Sequence, residues 1–207
     1  MFALNELQQD ALLEIFNIGV GKAAAALSKM TSEEVLLSVP TIEFLEWQEA
    51  RQHLPCGGKI ICGISQRFEG PFTTEAVLMF PEDKSLEIIR YILQGDSLFD
   101  QLTEMEQEGL CEIGNIVLNA CMAPIADIFS AEFHATMPEF RIGTSEHVLR
   151  IDMAQSNRVI MLMLVKLQME KREIEGYLAF LSVLPDMQRL SANIDRFISE
   201  LQKRVAR

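Results

Sequence analysis

Two stretches of the chain carry the same polar tetrad inside an apolar run. Glu14-Ile15-Phe16-Asn17 opens EIFNIGVGKAAAALSKM, and Glu112-Ile113-Gly114-Asn115 opens EIGNIVLNACMAPIADI. A carboxylate and an amide three residues apart lie on one face of a helix. Asp10 stands one turn before Glu14, Glu108 stands one turn before Glu112, and Asn119 extends the second stripe. A helix apolar on most sides is largely buried, so these groups form a narrow exposed strip or are paired inside. A plain solvent edge asks only for polarity, and Lys, Gln, Ser or Arg would serve it. Glu and Asn returning in the same order point to a role for those side chains, although common descent of two halves would also preserve them.

The chemistry open to such a pair is limited. A carboxylate facing a phosphate repels it, so the Glu suits a cation on a partner. The amide offers both an acceptor and donors, and can hold a water in line with a phosphorus atom. Together they suit a phosphatase whose substrate is a protein bringing its own metal and lysine. Other chemistry finds little material. His53, His134 and His147 show no metal-ligand spacing and no Ser-His-Asp set, and read as structural or surface residues. Gly19-Val20-Gly21 lacks the flanking residues of a phosphate loop. With Ala23–Ala26 it reads as a strip of small residues that lets another element approach.

The 207 residues carry a net charge of -12, which argues against nucleic acid and anionic lipid as partners. No apolar run approaches the ~20 residues of a bilayer span. The start, MFALNELQQD, has no basic leader region. Cys56, Cys62, Cys111 and Cys121 form no C-x-x-C pair and read as reduced thiols, so the expectation is a cytoplasmic protein.

The tetrads belong to a longer repeat, offset by 98 residues. Asn5 and Gln8 match Thr103 and Glu106, and each pair is a capping box opening a helix. Pro40 matches Pro138, where each half enters extended structure. Lys59–Cys62 resembles Arg158–Met161, and Phe80-Pro81-Glu82 resembles Leu184-Pro185-Asp186. The growing offset predicts a longer hairpin loop in the second half, in KLQMEKREIEG as against SQRFEGPFT. Each half thus reads as a capped helix, a strand near the Pro, a hairpin and a closing helix. The hairpins are expected at 58–67 with 74–80 and at 157–168 with 176–184. The closing helices are expected at 82–94, capped by Gly95, and at 186–205, where Leu190, Ile194, Phe197, Leu201 and Val205 form a core-facing stripe. Pro124 should kink or end the second long helix.

The predicted class is α+β: one domain over 1–207, built from pseudo-twofold halves 1–98 and 99–207. The halves share one largely antiparallel sheet packed with helices, because either half alone would leave much apolar helix surface uncovered.

The sequence resembles the CheC/CheX/FliY phosphatases of bacterial chemotaxis, closest to CheC members. These carry Asp/Ser-x-x-x-Glu-x-x-Asn on one or two helices. DALLEIFN at 10–17 fits that pattern fully, and EGLCEIGN at 108–115 fits it from Glu112 onward, with Glu108 in place of Asp or Ser. The resemblance implies hydrolysis of the aspartyl phosphate of a CheY-like response regulator. Glu14 and Glu112 would hold the regulator's lysine, Asn17 and Asn115 would orient the attacking water, and Asp10 and Glu108 would be accessory. Mg2+ would arrive with the regulator, with no cofactor bound by this chain itself, and a CheD-like deamidase is a further partner known in the family. The alternatives are a module that docks a regulator or CheD-type protein without turnover, and a homodimeric scaffold built on the apolar helices.

Overall fold

The computed structural model describes residues 2–46, 60–93, 102–150, 158–169 and 172–205. Two long helices, α1 (Glu6–Thr31) and α3 (Glu104–Phe129), dominate one side of the molecule. Each starts where the sequence predicts. Asn5 Oδ1 accepts from the Gln8 backbone N–H at 2.9 Å, and Gln8 Oε1 accepts from the Asn5 N–H at 3.0 Å. Thr103 and Glu106 make the same reciprocal pair. Each helix ends on a serine in the left-handed region, Ser32 at φ 58° and Ser130 at φ 51°.

The remaining elements are β1 (Val35–Glu46), β2 (Ile61–Glu69), β3 (Thr73–Pro81), α2 (Glu82–Leu93), β4 (His134–Ala135), β5 (Glu139–Gly143), α4 (Ser145–Val148), β6 (Arg158–Met169), β7 (Arg172–Val183) and α5 (Leu184–Val205). The seven strands form one antiparallel sheet in the order β1-β6-β7-β3-β2-β4, with β5 also paired to β2. The fold is therefore α+β with helices packed on an antiparallel sheet. The halves interlock. The first strand of the first half, β1, pairs with the second hairpin, while β4 and β5 of the second half pair with the first hairpin. The capping boxes cross over in the same sense. Gln8 Nε2 donates to Ser191 Oγ and Asp195 Oδ1 on α5, and Arg90 on α2 donates to Glu106 at 3.2 Å. Each long helix is thus tied at its start to the other half's closing helix.

The main core lies between helices and sheet, with Leu12, Phe16 and Val20 of α1 and Leu110, Val117 and Leu118 of α3 packed on Ile64, Leu78 and Met163. A smaller cluster on the opposite sheet face gathers Val77, Leu162 and Leu181 under Val148 and Leu149. By length and composition α1 and α3 are apolar enough to cross a membrane. This differs from the expectation that no run comes near that length. Here both bury their apolar sides in the core.

The structure corrects three expectations. The second hairpin has no longer loop: its extra residues lengthen the strands, twelve residues each against nine in β2 and β3, and pairing continues to Met169↔Arg172. Apolar residues such as Leu167 and Ile174 extend the buried alternation, so pairing wins over a loop. Pro124 does not end α3, which runs on to Phe129. The Ala120 carbonyl that Pro124 cannot bond instead meets the close approach of α1: a Cβ placed on Gly19 would lie 2.5 Å from Ala120 O. Close packing therefore explains Gly19 but not Gly21, which is exposed and would meet nothing within 4 Å.

Burial pushes the Cys62 thiol up to about 11 and the Cys121 thiol up to about 12. His134 and His147 are exposed. Cys56, His53 and Gly95 lie outside the described residues.

Candidate functional site

In both tetrads the central pair, Ile15-Phe16 and Ile113-Gly114, is buried, while the glutamate before it faces away from the core. Asp10 and Glu14 on α1 and Glu108 and Glu112 on α3 are exposed, and none has a hydrogen-bond or ion-pair partner among the described residues. Asn17 and Asn115 are half-buried at the edge of each stripe. The repeat extends to the apolar rim: Leu7 and Met105 occupy matching positions two turns before the glutamates and are 55% and 72% exposed. Each stripe therefore combines carboxylates with an apolar side chain open to a partner.

The two amides are held differently, and Pro40 and Pro138 explain how. Both prolines interrupt a strand pairing, because proline has no N–H for the ladder. In β1, Val39 and Pro40 together stand opposite a single residue of β6, between the pairs Ser38↔Lys166 and Thr41↔Leu164. This bulge leaves the Val39 backbone without ladder partners. Asn17 takes their place. Its Oδ1 accepts from the Val39 N–H at 2.9 Å, and its Nδ2 donates to Val39 O at 3.0 Å and to Leu13 O at 2.9 Å. Both amide hydrogens of Asn17 are used, and one lone pair of Oδ1 stays open.

In the second half the gap lies between β4 and β5, where 136–138 stand opposite Gln66 and Arg67. Here the strand supplies its own side chain. Gln66, only 2% exposed, donates from Nε2 to Thr136 O at 3.0 Å and to Asn115 Oδ1 at 2.9 Å. Asn119 Nδ2 lies 2.8 Å from both the Asn115 carbonyl and Asn115 Oδ1, and donates to Gln66 Oε1 at 3.3 Å. Asn115 thus has its oxygen occupied and its Nδ2 without a hydrogen-bond partner among the described residues. Met137, which matches the buried Val39, is 83% exposed beside this site.

Electrostatics distinguish the helix starts. Burial alone would push the Glu106 carboxyl up. Donation from the Thr103 backbone and hydroxyl and from Arg90 outweighs it and holds the carboxyl below its ordinary value. Gln8, in the matching place, carries no charge. Among the described residues no group of three or more His, Cys, Asp and Glu is arranged to hold a metal ion.

Sequence reasoning found the stripes but not Gln66. Its signal was present: Gln66 shares the core-facing register with Ile64 and Phe68, where a polar residue must find a partner.

The class so defined is an α+β fold with a carboxylate–amide stripe on each of two paired helices, and comparison shows that this chain is similar to CheC-like proteins. The model of the CheC-like family matches residues 7–43, which span Asp10, Glu14, Asn17 and the Val39 bulge. The chain is 23% identical over 196 residues to the CheY-P phosphatase CheC of Bacillus subtilis, covering 90% of this chain and 93% of that protein. Its fold matches Thermotoga maritima FliY with a TM-score of 0.76 at 13% identity, over 94% of this chain and 99% of the other. It also matches the FliM middle domain of H. pylori with a TM-score of 0.66 at 10% identity, over 92% and 99%.

Proposed function

We propose that this chain hydrolyses the aspartyl phosphate of a CheY-like response regulator in chemotaxis or related two-component signalling, and does so in the cytoplasm. The observation that carries this reading is the pair of exposed glutamates, unpartnered among the described residues, each three residues before an amide held in a defined orientation. Glu14 and Glu112 anchor a lysine of the regulator. A charge-assisted bond is strongest where neither partner must first break another, and neither glutamate has one to break among the described residues. Leu7 and Met105 add apolar contact beside the charge, as a protein substrate requires. Asp10 and Glu108 are accessory, adding negative potential one turn away.

The amides position the reaction. An acyl phosphate is already labile, so holding the water in line supplies much of the acceleration. Asn17, with an open lone pair on Oδ1, accepts a hydrogen from the water and turns its oxygen toward phosphorus. Asn115, with its NH2 open, donates to the water oxygen or to a phosphoryl oxygen as charge builds there. Mg2+ belongs to the regulator. The likeness to B. subtilis CheC supports this reading.

A second reading has its own support. The fold is shared with the FliM middle domain, and Asn17 is engaged by backbone, so the same stripes can dock a regulator or a CheD-like protein without turnover. Decay of a phosphorylated CheY-like regulator, measured beside binding, separates the two. Under the phosphatase reading the unaltered chain speeds that decay in Mg2+, and the Glu14→Ala/Glu112→Ala double variant raises KM sharply. Measurable binding with no faster decay supports docking alone.

A further inference from the structure

We propose that Gln66 is a positioning residue of the second site, which with Asn119 fixes the direction of the Asn115 amide. The inference deepens the phosphatase reading and rests on it for its catalytic consequence. The orientation follows from two backbone carbonyls, which can only accept. Thr136 O lies 3.0 Å from Gln66 Nε2, so Gln66 must present its NH2 on that side. The other hydrogen of that NH2 then points to Asn115, which must answer with oxygen, at 2.9 Å. The Asn115 carbonyl lies 2.8 Å from Asn119 Nδ2, so Asn119 also presents its NH2, again toward Asn115 Oδ1 at 2.8 Å. Two donors converge on one oxygen, and reversing the Asn115 amide would set NH2 against NH2 twice. Asn115 is thereby locked as an outward donor.

The first half has no such device. The hairpin position matching Gln66 is Val165, apolar and fully buried, and Asn17 is held by the Val39 backbone instead. Gln66 is thus a buried polar residue that belongs to one site only. Its place opposite the Pro138 interruption lets one side chain satisfy the Thr136 carbonyl and aim the amide.

The test uses Gln66→Met, of similar volume but without hydrogen bonds, in the full chain. The first readout is 15N relaxation of the Asn115 side-chain NH2, with the Asn17 NH2 as an internal control. Ordering of Asn115 is expected to fall in Gln66→Met while Asn17 is unchanged; equal ordering of Asn115 in both proteins overturns the proposal. The second readout is decay of a phosphorylated CheY-like regulator in a Glu14→Ala background, so that the second site is observed. There kcat is expected to fall about tenfold with KM held, since misaimed groups lose rate before binding. An unchanged kcat overturns the proposal. Asn119→Ala, at an exposed position, provides the same readouts if Gln66→Met fails to fold, with a smaller expected loss. Should the unaltered chain give no faster decay while the Asn115 amide still loosens in Gln66→Met, the phosphatase reading fails and the positioning role stands.

Discussion

Asn17 and Asn115 hold matching places on matching helices, yet the Asn17 amide is engaged at both its oxygen and its NH2, and the Asn115 amide at its oxygen alone among the described residues. Asn17 has spent its hydrogens and keeps a lone pair; Asn115 has spent its oxygen and keeps its hydrogens. The difference arises in the sheet beneath. Each half has a proline that interrupts a strand and leaves backbone groups to satisfy. In the first half the asparagine satisfies them. In the second half Gln66 does, and the asparagine is released to face outward. The residue types repeat between the two stripes, while the neighbouring strand decides what each amide can offer.

The largest expected effect bears on how far the halves are separate at all. Because β1 pairs with β6, and β4 and β5 pair with β2, residues 1–98 and 99–207 expressed apart are expected to show no cooperative thermal transition. Mixing them should restore one. A fragment that melts cooperatively alone would show that the interlock is not needed.

The helix contact gives the next effect. Gly19→Ala places a methyl group on the Ala120 carbonyl, a backbone atom that cannot swing aside, and should cost about 3 kcal/mol in denaturant unfolding. Gly21→Ala, on the same helix but facing open space, should stabilise by about 0.5–1 kcal/mol. Similar effects from both would mean that α1 and α3 are not packed as described.

The amides themselves should differ in stability cost. Asn17→Ala strands the N–H and carbonyl of Val39, which is 1% exposed, and should destabilise by about 3 kcal/mol. Asn115→Ala leaves Gln66 bonded to Thr136 and strands only its second N–H, and should cost about 1 kcal/mol. Equal costs in urea titration would erase the distinction drawn between the sites.

The smallest effect concerns the helix starts. The Glu106 carboxyl is depressed in the folded chain relative to the unfolded value of about 4.3. Its contribution is therefore present above that value and lost as pH falls through the folded one. Glu106→Gln, which makes the second cap resemble Gln8 in the first, should flatten the loss of thermal stability between about pH 5 and pH 3. An unchanged acid slope would mean that the Thr103 and Arg90 contacts do not hold the carboxylate.

Much of this was legible from local pattern. The capping boxes set the starts of both long helices within the sequence itself, and the order Glu-x-x-Asn set the stripe, since three-residue spacing has one meaning on a helix. What escaped was non-local. That β1 joins the other half's hairpin depends on pairing across more than a hundred residues, on which local periodicity is silent. The ends of β6 and β7 nearest their turn were expected in a loop, because the growing repeat offset was assigned to an insertion there and not to longer strands. Glu173 and Glu175 lie there on exposed positions, where both pair with the half-buried Lys166 across the strands. Pro40 marked the strand but not the bulge, so the engagement of Asn17 by Val39 was invisible, as was Gln66 reaching Asn115 from a neighbouring element.

The central claim is that one chain holds two working sites built on Asn17 and Asn115. The most direct measurement is decay of a phosphorylated CheY-like regulator in Mg2+ with the unaltered chain, Asn17→Ala, Asn115→Ala and the double variant, each confirmed folded by its thermal transition. The account predicts acceleration that survives in part in each single variant and disappears in the double. A double variant that retains full acceleration, or an unaltered chain that binds the regulator without speeding decay, would contradict it.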